Sequence, residues 1–331
     1  MKKLLCLVLM VVFTAVGCSS DRPVTSSFFV PEFSYSSGEA ATAVKAPAGL
    51  DFFNNYDFMY SDLCYSVNDV DLDIDYEFAG DALACFNATQ TKVVFSRNMY
   101  EKVYPASTTK LLTAMTCLKY CDPEKVVVIE EDNCGITTPG AQLCGFKKGD
   151  RLTVNQLLHC LMIYSGNDAG VAIANAVCGS EEKFVELMNE EASKIGCINT
   201  HFANPHGLHN LNHYTTPYDI YLIFNECLKN ETMKDIIKCR SYECIYEDID
   251  GNEKVLEMTA TNLYFAGVKQ VPEGVTVLGG KTGVTAAAGY CLVIASENEK
   301  GETYITEVFK SDSYDTLYAD MNELLKLINS D

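Results

Sequence analysis

Between residues 107 and 283 the chain carries three short polar motifs in a fixed order: Ser107-Thr108-Thr109-Lys110, then Ser165-Gly166-Asn167, then Lys281-Thr282-Gly283. Each stands at a junction of the hydrophobic pattern. The first opens a helical period, the second parts two helices, and the third lies along a strand. Together they supply a hydroxyl, an amine one helical turn away, a polar bridge and an anchor for a carboxylate. That is a complete kit for acyl transfer through a serine.

Ser107 follows Tyr104-Pro105-Ala106 and precedes the apolar positions Leu111, Leu112, Met115 and Leu118, a spacing that predicts a helix starting near Ser107. Residues three apart share a helix face, so the Lys110 amine comes beside the Ser107 oxygen. The free N–H groups of the helix start also favour negative charge there. Lysine takes a serine proton only when it is neutral. Bringing its pKa near 7 needs about 4 kcal/mol, which burial and a second cation can supply, and Lys281 is that second cation.

Taken alone, a Ser-x-x-Lys pattern reads as a capping serine followed by a solvated lysine. The chain holds such a copy at Ser180-Glu181-Glu182-Lys183, where two acids would keep the amine protonated. Ser66-Val67-Asn68 and Ser296-Glu297-Asn298 repeat the second motif but stand out of order, and neither parts two helices.

Ser165 is expected in a turn between a helix capped by Thr153, covering 154 to 162, and another from about 168 to 178. Gly166 would let that turn bend, and Ser165 and Asn167 would project where the helices part. The third motif imitates a phosphate-binding loop, but such a loop needs glycine at 275, where the chain has Val275, and a helix after the lysine. Gly289 to Ile294 reads as strand instead. Lys281 is therefore placed on a strand edge, with its charge and the Thr282 hydroxyl free for an anionic group. Gly283 would leave room for the ligand's backbone.

On these residues the chain resembles the penicillin-binding serine D-alanyl-D-alanine carboxypeptidases, low-molecular-mass enzymes that trim peptidoglycan stem peptides. The resemblance covers about residues 80 to 331. It extends to Ala84-Cys85-Phe86-Asn87 with Val93-Val94-Phe95, Pro105-Ala106-Ser107, Gly149-Asp150-Arg151-Leu152-Thr153 and Asn204-Pro205-His206-Gly207-Leu208. His213-Tyr214-Thr215-Thr216 with Asp219, and Thr285, Ala288 and Gly289, fit as well.

The resemblance implies an α+β fold of the β-lactamase/transpeptidase type, an antiparallel sheet flanked by helices beside an all-helical subdomain, with the site between them. It implies that Ser107 attacks the carbonyl between two D-alanines with Lys110 as general base. Ser165 would pass the proton to the leaving amine, Asn167 would position the substrate, and Lys281, Thr282 and Gly283 would receive its terminal carboxylate. The backbone N–H groups of Ser107 and Val284 would form the oxyanion hole. β-Lactam antibiotics, which imitate the D-Ala-D-Ala end, would acylate Ser107 as inhibitors. No cofactor is implied.

The amino terminus reads as an export signal, with Lys2-Lys3 ahead of the apolar run Leu4 to Val16, too short for a comfortable membrane span. Ala15-Val16-Gly17-Cys18 resembles a lipoprotein processing site. Cys18 would then carry the lipid that holds the protein on the outer face of the cytoplasmic membrane, in the cell envelope, without a transmembrane helix. Ala15 departs from the commoner leucine, and the alternative is ordinary cleavage nearby that leaves Cys18 a thiol. Domains follow as a signal over 1–17, a lipid-anchored tether with an acidic, aromatic lead-in over 18–80, and a peptidase domain over 81–331 with no C-terminal β-domain.

A formal charge of −20 over 331 residues is the wrong sign for binding nucleic acid, and 48% hydrophobic content is enough for a large core. Fifteen cysteines are many for an envelope enzyme, and setting aside Cys6 and Cys18 leaves an odd number that cannot all pair. Most fall in apolar runs and read as small core residues, with disulfides open among Cys134, Cys144, Cys239 and Cys244. His206, His209 and His213 have a spacing suggestive of zinc but sit inside the family segment, so no metal is expected.

The pattern gives an early hairpin over 82 to 96, a helical middle from 107 to 238, five strands between 242 and 309, and a closing helix from Tyr314 to Ile328. Two other functions share features with this reading. A serine β-lactamase needs a second activating carboxylate after the Ser165 motif, and no Glu-x-x-x-Asn stands between Gly196 and Thr216. A catalytically idle wall-binding lipoprotein would not need every reactive position intact.

Overall fold

The computed structural model describes residues 62–329. The expected signal, Cys18, the tether and the first part of the lead-in lie outside the described residues.

The main sheet is five-stranded and antiparallel, in the order β2-β1-β9-β8-β7. Its strands are β1 (Ala82–Asn87), β2 (Lys92–Arg97), β7 (Thr276–Thr285), β8 (Gly289–Glu297) and β9 (Thr303–Ser311). Every residue of β1 is buried, because both faces of the sheet are covered. One face, with Leu83, Cys85, Leu292, Ile294 and Val308, packs on Leu317, Met321 and Leu324 of the closing helix α7 (Tyr314–Leu327). That helix starts with a reciprocal Ser313–Thr316 capping box.

The other face, with Ala84, Phe86, Val293 and Ile305, packs on the helical half of the molecule. There α1 (Lys110–Tyr120) is buried at Leu111, Leu112, Ala114 and Cys117, with α3 (Asn167–Cys178), α4 (Glu181–Ile195) and α5 (Pro217–Cys227) around it. Phe86 stacks on Tyr221 of α5 with ring centroids 4.2 Å apart. Burying one such ring stabilises the fold by about 1.5–3 kcal/mol.

The structure departs from the sequence reading in the subdomain expected to be all-helical, which also carries a small sheet in the order β3-β4-β5-β6. β3 (Val126–Val128) and β4 (Arg151–Thr153) have three residues each, too few to display a period of two. β5 (Ser241–Glu247) and β6 (Glu253–Thr259), expected as strands, pair with each other through the Asp250-Gly251 turn and join β4 instead of the main sheet. The α+β class and the helix-flanked antiparallel sheet stand as expected. The described lead-in, residues 62–78, packs on the domain. Val70 exchanges hydrogen bonds with Ser96 on the outer edge of β2, which covers an otherwise open strand.

Glu307, opposite Ala84 and Val293 in the sheet, is fully buried, and neither carboxyl oxygen has a hydrogen-bond partner among the described residues. Burial pushes its pKa well above the carboxylate range, so it folds as the neutral acid. Because the folded pKa is raised, its contribution is fully present below the unfolded value near 4.3 and is lost as pH rises through the folded value. Relative to Glu307→Gln, the wild type should therefore lose about 1.4 kcal/mol per pH unit within that window. Urea unfolding of both proteins at pH 5 and pH 8 tests this. A stability difference independent of pH would refute it.

Candidate active site

The Ser107 turn is built on strain. Ala106 has φ +47°, in the left-handed region that a residue with a Cβ rarely occupies, and it opens a 3-10 turn (Ala106–Thr109) that runs into α1. A buried relay holds it there. Ala203 N–H donates to His213 Nδ1 at 3.1 Å, which leaves the ring proton on Nε2. Nε2 lies 2.7 Å from Thr109 Oγ1, and that hydroxyl donates to the Ala106 carbonyl at 2.7 Å. Burial holds His213 down at about 3, so the ring stays neutral and the relay keeps one polarity.

Lys110 is fully buried at the centre of the site. Its Nζ lies 2.8 Å from Ser107 Oγ, 2.7 Å from Asn167 Oδ1 and 2.5 Å from the His206 carbonyl oxygen. Burial, and then the nearby Lys281 charge, push its pKa well below that of ordinary lysine. A neutral amine has two N–H groups and one lone pair. Asn167 Oδ1 and the His206 carbonyl can only accept, so they take both N–H groups. The lone pair is then left facing the one partner that can give a proton, the Ser107 hydroxyl.

The second motif is reached through α2 (Val154–His159), which starts at Thr153 as the sequence predicts, through a capping box with Gln156. The helix then widens into one π-turn (Cys160–Tyr164). Ser165, buried, ends that turn at φ +67°. Gly166 is at φ −59°, so the bend expected of the glycine is made by Ser165. Glycine is needed at 166 for a different reason: a Cβ there would lie 2.3 Å from Cys144 Sγ. The Asn167 N–H donates to the Gln142 carbonyl at 2.8 Å, and the buried Asp168 carboxylate accepts from Cys144 and Gly145 N–H at 2.9 Å each. These bonds pin the segment around 142–145 beside the site.

Lys281 lies on β7, the edge strand, as expected. Its side chain is 1% exposed, its Nζ donates to the Thr282 carbonyl at 3.0 Å, and burial lowers its pKa to about 7. Thr282 Oγ1 lies 2.6 Å from Thr261 Oγ1. The room left by Gly283 is filled by the protein itself. A Cβ there would meet Ser107 N at 2.9 Å and the Pro105 carbonyl at 3.0 Å, so β7 and the nucleophile turn touch backbone to backbone. That contact brings Val284, 42% exposed, next to Ser107.

The decoys resolve as structural. Ser180 Oγ accepts from Lys183 N–H as a helix cap. The three histidines are committed elsewhere: His213 to the relay, His206 Nδ1 to Leu208 N–H, and His209 edge-on to Tyr104. The described cysteines are all free thiols, Cys134, Cys144, Cys239 and Cys244 included. Sequence reasoning missed the relay, the Asp168 brace and the role of Gly207, whose Cα abuts the Ala106 carbonyl. The Asn-Pro-His-Gly-Leu segment was visible, but nothing in it says which loop it touches.

Fold and site together define a penicillin-binding-type active-site-serine architecture, with the serine on the 3-10 turn that runs into α1, its lysine at the start of that helix, and a second lysine on the facing strand. The chain belongs to the D-alanyl-D-alanine carboxypeptidase family, whose model matches residues 73–313. It is 33% identical over 214 residues to the D-alanyl-D-alanine carboxypeptidase DacF of Bacillus subtilis, covering 62% of this chain and 51% of that one. To DacC of Escherichia coli it is 31% identical over 213 residues, covering 62% and 50%. The chain thus spans about half the length of these curated relatives. Among solved structures it is similar to a Streptomyces DD-transpeptidase, with a TM-score of 0.70 and 26% identity over 77% of this chain and 98% of that one.

Proposed function

We propose that this chain removes the terminal D-alanine from peptidoglycan stem peptides through an acyl-enzyme on Ser107, and that β-lactams acylate the same oxygen. The reading is carried by the Lys110 amine, whose two N–H groups are taken by obligate acceptors while its lone pair faces Ser107. Lys110 accepts the serine proton as Oγ attacks the carbonyl between the two D-alanines. The oxyanion rests on the backbone N–H groups of Ser107 and Val284, where one such donor is typically worth about 2.7–4 kcal/mol. The C–N bond then breaks, the leaving amine takes its proton from Lys110 by way of Ser165, and D-alanine departs. Water repeats the sequence to release the shortened peptide. Asn167 positions the substrate while holding Lys110, and Lys281 with Thr282 receives the terminal carboxylate. Binding an anion restores Lys281 to its charged form.

The test is incubation with an acyl-D-Ala-D-Ala peptide and, separately, a fluorescent penicillin. Release of one D-alanine per peptide and a persistent label on Ser107 are expected. Rapid drug turnover would point to a lactamase, and absence of any label would sink the proposal.

We further propose that the protein works outside the cytoplasmic membrane, held by a lipid on Cys18. Among the described residues no helix is long and apolar enough to span a bilayer, so attachment would rest on the lipid. In a native host, Cys18→Ala should move the protein out of the membrane fraction. Retention of the variant there would exclude the anchor.

A further inference from the structure

One acceptor of the Lys110 amine belongs to the peptide unit between His206 and Gly207, whose carbonyl oxygen lies 2.5 Å from Nζ. The C=O and N–H of a trans peptide point in opposite directions, so the partner that holds the Gly207 N–H also decides where the His206 carbonyl aims. That partner is the buried side chain of Asn204. Its Oδ1 accepts from Gly207 N–H at 2.7 Å and from His206 N–H at 3.3 Å, and its Nδ2 donates to the Leu208 carbonyl at 2.9 Å. The loop is anchored to the helices by other groups. Phe202 exchanges two hydrogen bonds of 2.8 Å with the Asn189 side chain of α4, and the Pro205 carbonyl accepts from Thr113 Oγ1 of α1 at 2.7 Å. Those bonds fix where the loop runs, and none of them grips the His206–Gly207 peptide.

We propose that Asn204 is a positioning residue, which holds the His206–Gly207 peptide with its carbonyl toward Lys110 and so keeps the amine lone pair for Ser107; the role in catalysis rests on the acyl-transfer reading above. What Asn204 prevents is a flip of that peptide. Gly207 has φ +89°, and glycine takes the opposite sign as readily, so the plane can turn over about the line joining its two Cα atoms without moving either of them.

A turned peptide would present the Gly207 N–H to Lys110. The neutral amine would accept that hydrogen into the lone pair that now faces Ser107, and one of its own N–H groups would lose its acceptor. Asn204 opposes the turn because it would break the shorter of the two bonds to a buried carboxamide oxygen.

Two variants in the full chain test this. Asn204→Ala removes the acceptor, and Asn204→Asp restores it, since burial favours the neutral acid, which accepts through one oxygen and donates to the Leu208 carbonyl through the other. Crystal structures give the orientation of the peptide, and stopped-flow labelling with a fluorescent penicillin between pH 4 and 10 gives the chemistry. In Asn204→Ala the His206 oxygen should have left Lys110 Nζ, and the saturating rate should fall about a hundredfold while the half-saturating concentration stays near that of wild type. The acid limb should move to lower pH, because a carbonyl that favours the ammonium has been exchanged for an N–H that opposes it. The other groups whose charge acts on Lys110, namely Lys281 on β7, Asp168 on α3 and Cys144, are unchanged in both variants, so the shift reports the peptide. Asn204→Asp should keep the carbonyl on Lys110 and label within about tenfold of wild type. If Asn204→Ala does not fold, Asn204→Gln carries the same amide one methylene out of register and should give the same results. A carbonyl still on Lys110 in Asn204→Ala, a slowed rate with an unmoved acid limb, a turned peptide with unchanged labelling, or an Asp variant as slow as the Ala variant would each overturn the proposal. A wild type that never labels, beside an Asn204→Ala structure with the peptide turned, would count against the acyl-transfer reading and leave the hold of Asn204 on the peptide standing.

Discussion

A Lys110→Met variant is expected to fold normally and to acylate Ser107 about 10²- to 10⁴-fold more slowly than wild type, the usual worth of a positioned general base. Methionine fills the buried volume of the lysine stem without a group that can accept a proton. It removes a desolvated amine but leaves the buried Asn167 and His206 oxygens without that donor, so the two effects oppose each other and the thermal midpoint should move by only a few degrees. The pH profile carries the sharper test. On the proposed mechanism the acid limb of kcat/KM in the wild type belongs to Lys110, which must lose its proton to act and whose pKa lies well below the ordinary lysine value. The alkaline limb is then expected from Lys281, which loses its charge near pH 7 and with it the proposed anchor for a carboxylate. Lys110→Met should erase the first limb and keep the second, while Ser107→Ala should take no label at any pH. Stopped-flow labelling between pH 4 and 10 separates these outcomes. An acid limb that survives in Lys110→Met would show that another group is the base.

Which parts of this arrangement were legible beforehand depended on whether the cause was local. The Thr153 cap, the Ser180 cap and the strand at Lys281 each follow from a few neighbouring residues, and each stands where the pattern placed it. The Ser107 and Lys110 pairing was legible because one helical turn fixes it. Contacts across long stretches of chain left no trace. The His213 to Thr109 bond joins residues 104 positions apart, and the Lys110 to His206 bond joins residues 96 apart.

Gly166 is instructive because its identity was read correctly as a constraint but given the wrong cause. A glycine in a turn suggests a positive φ, yet here the neighbouring Ser165 takes that conformation and the glycine clears a sulfur. Sequence says where a glycine stands. It does not say whether the limit is its own dihedral or another residue's approach.

The same distinction governs the second large expected effect, that of Gly207→Ala. Gly207 has φ +89°, and a Cβ there would fall 1.8 Å from the Ala106 carbonyl oxygen and 2.9 Å from Ser107 N. Both partners are backbone, so no rotamer change can relieve the clash. Ala106 cannot retreat without abandoning its left-handed geometry and its bond from Thr109. Overpacking of about 1–3 kcal/mol and dihedral strain of about 1–3 kcal/mol should together lower the thermal midpoint by roughly 5–15 °C. Penicillin labelling should slow about a hundredfold or more, because Ser107, the proposed nucleophile and a proposed oxyanion donor, sits on the displaced turn. Gly251→Ala supplies the comparison, since Gly251 has φ +79° and nothing within 4 Å of a Cβ, so that variant carries strain without collision. Its midpoint should fall by a few degrees and its labelling rate should match wild type. If Gly207→Ala instead behaves like Gly251→Ala in both measurements, the loop carrying residue 207 does not brace the nucleophile. The strain at Ala106 would then be sustained by the His213 and Thr109 relay alone.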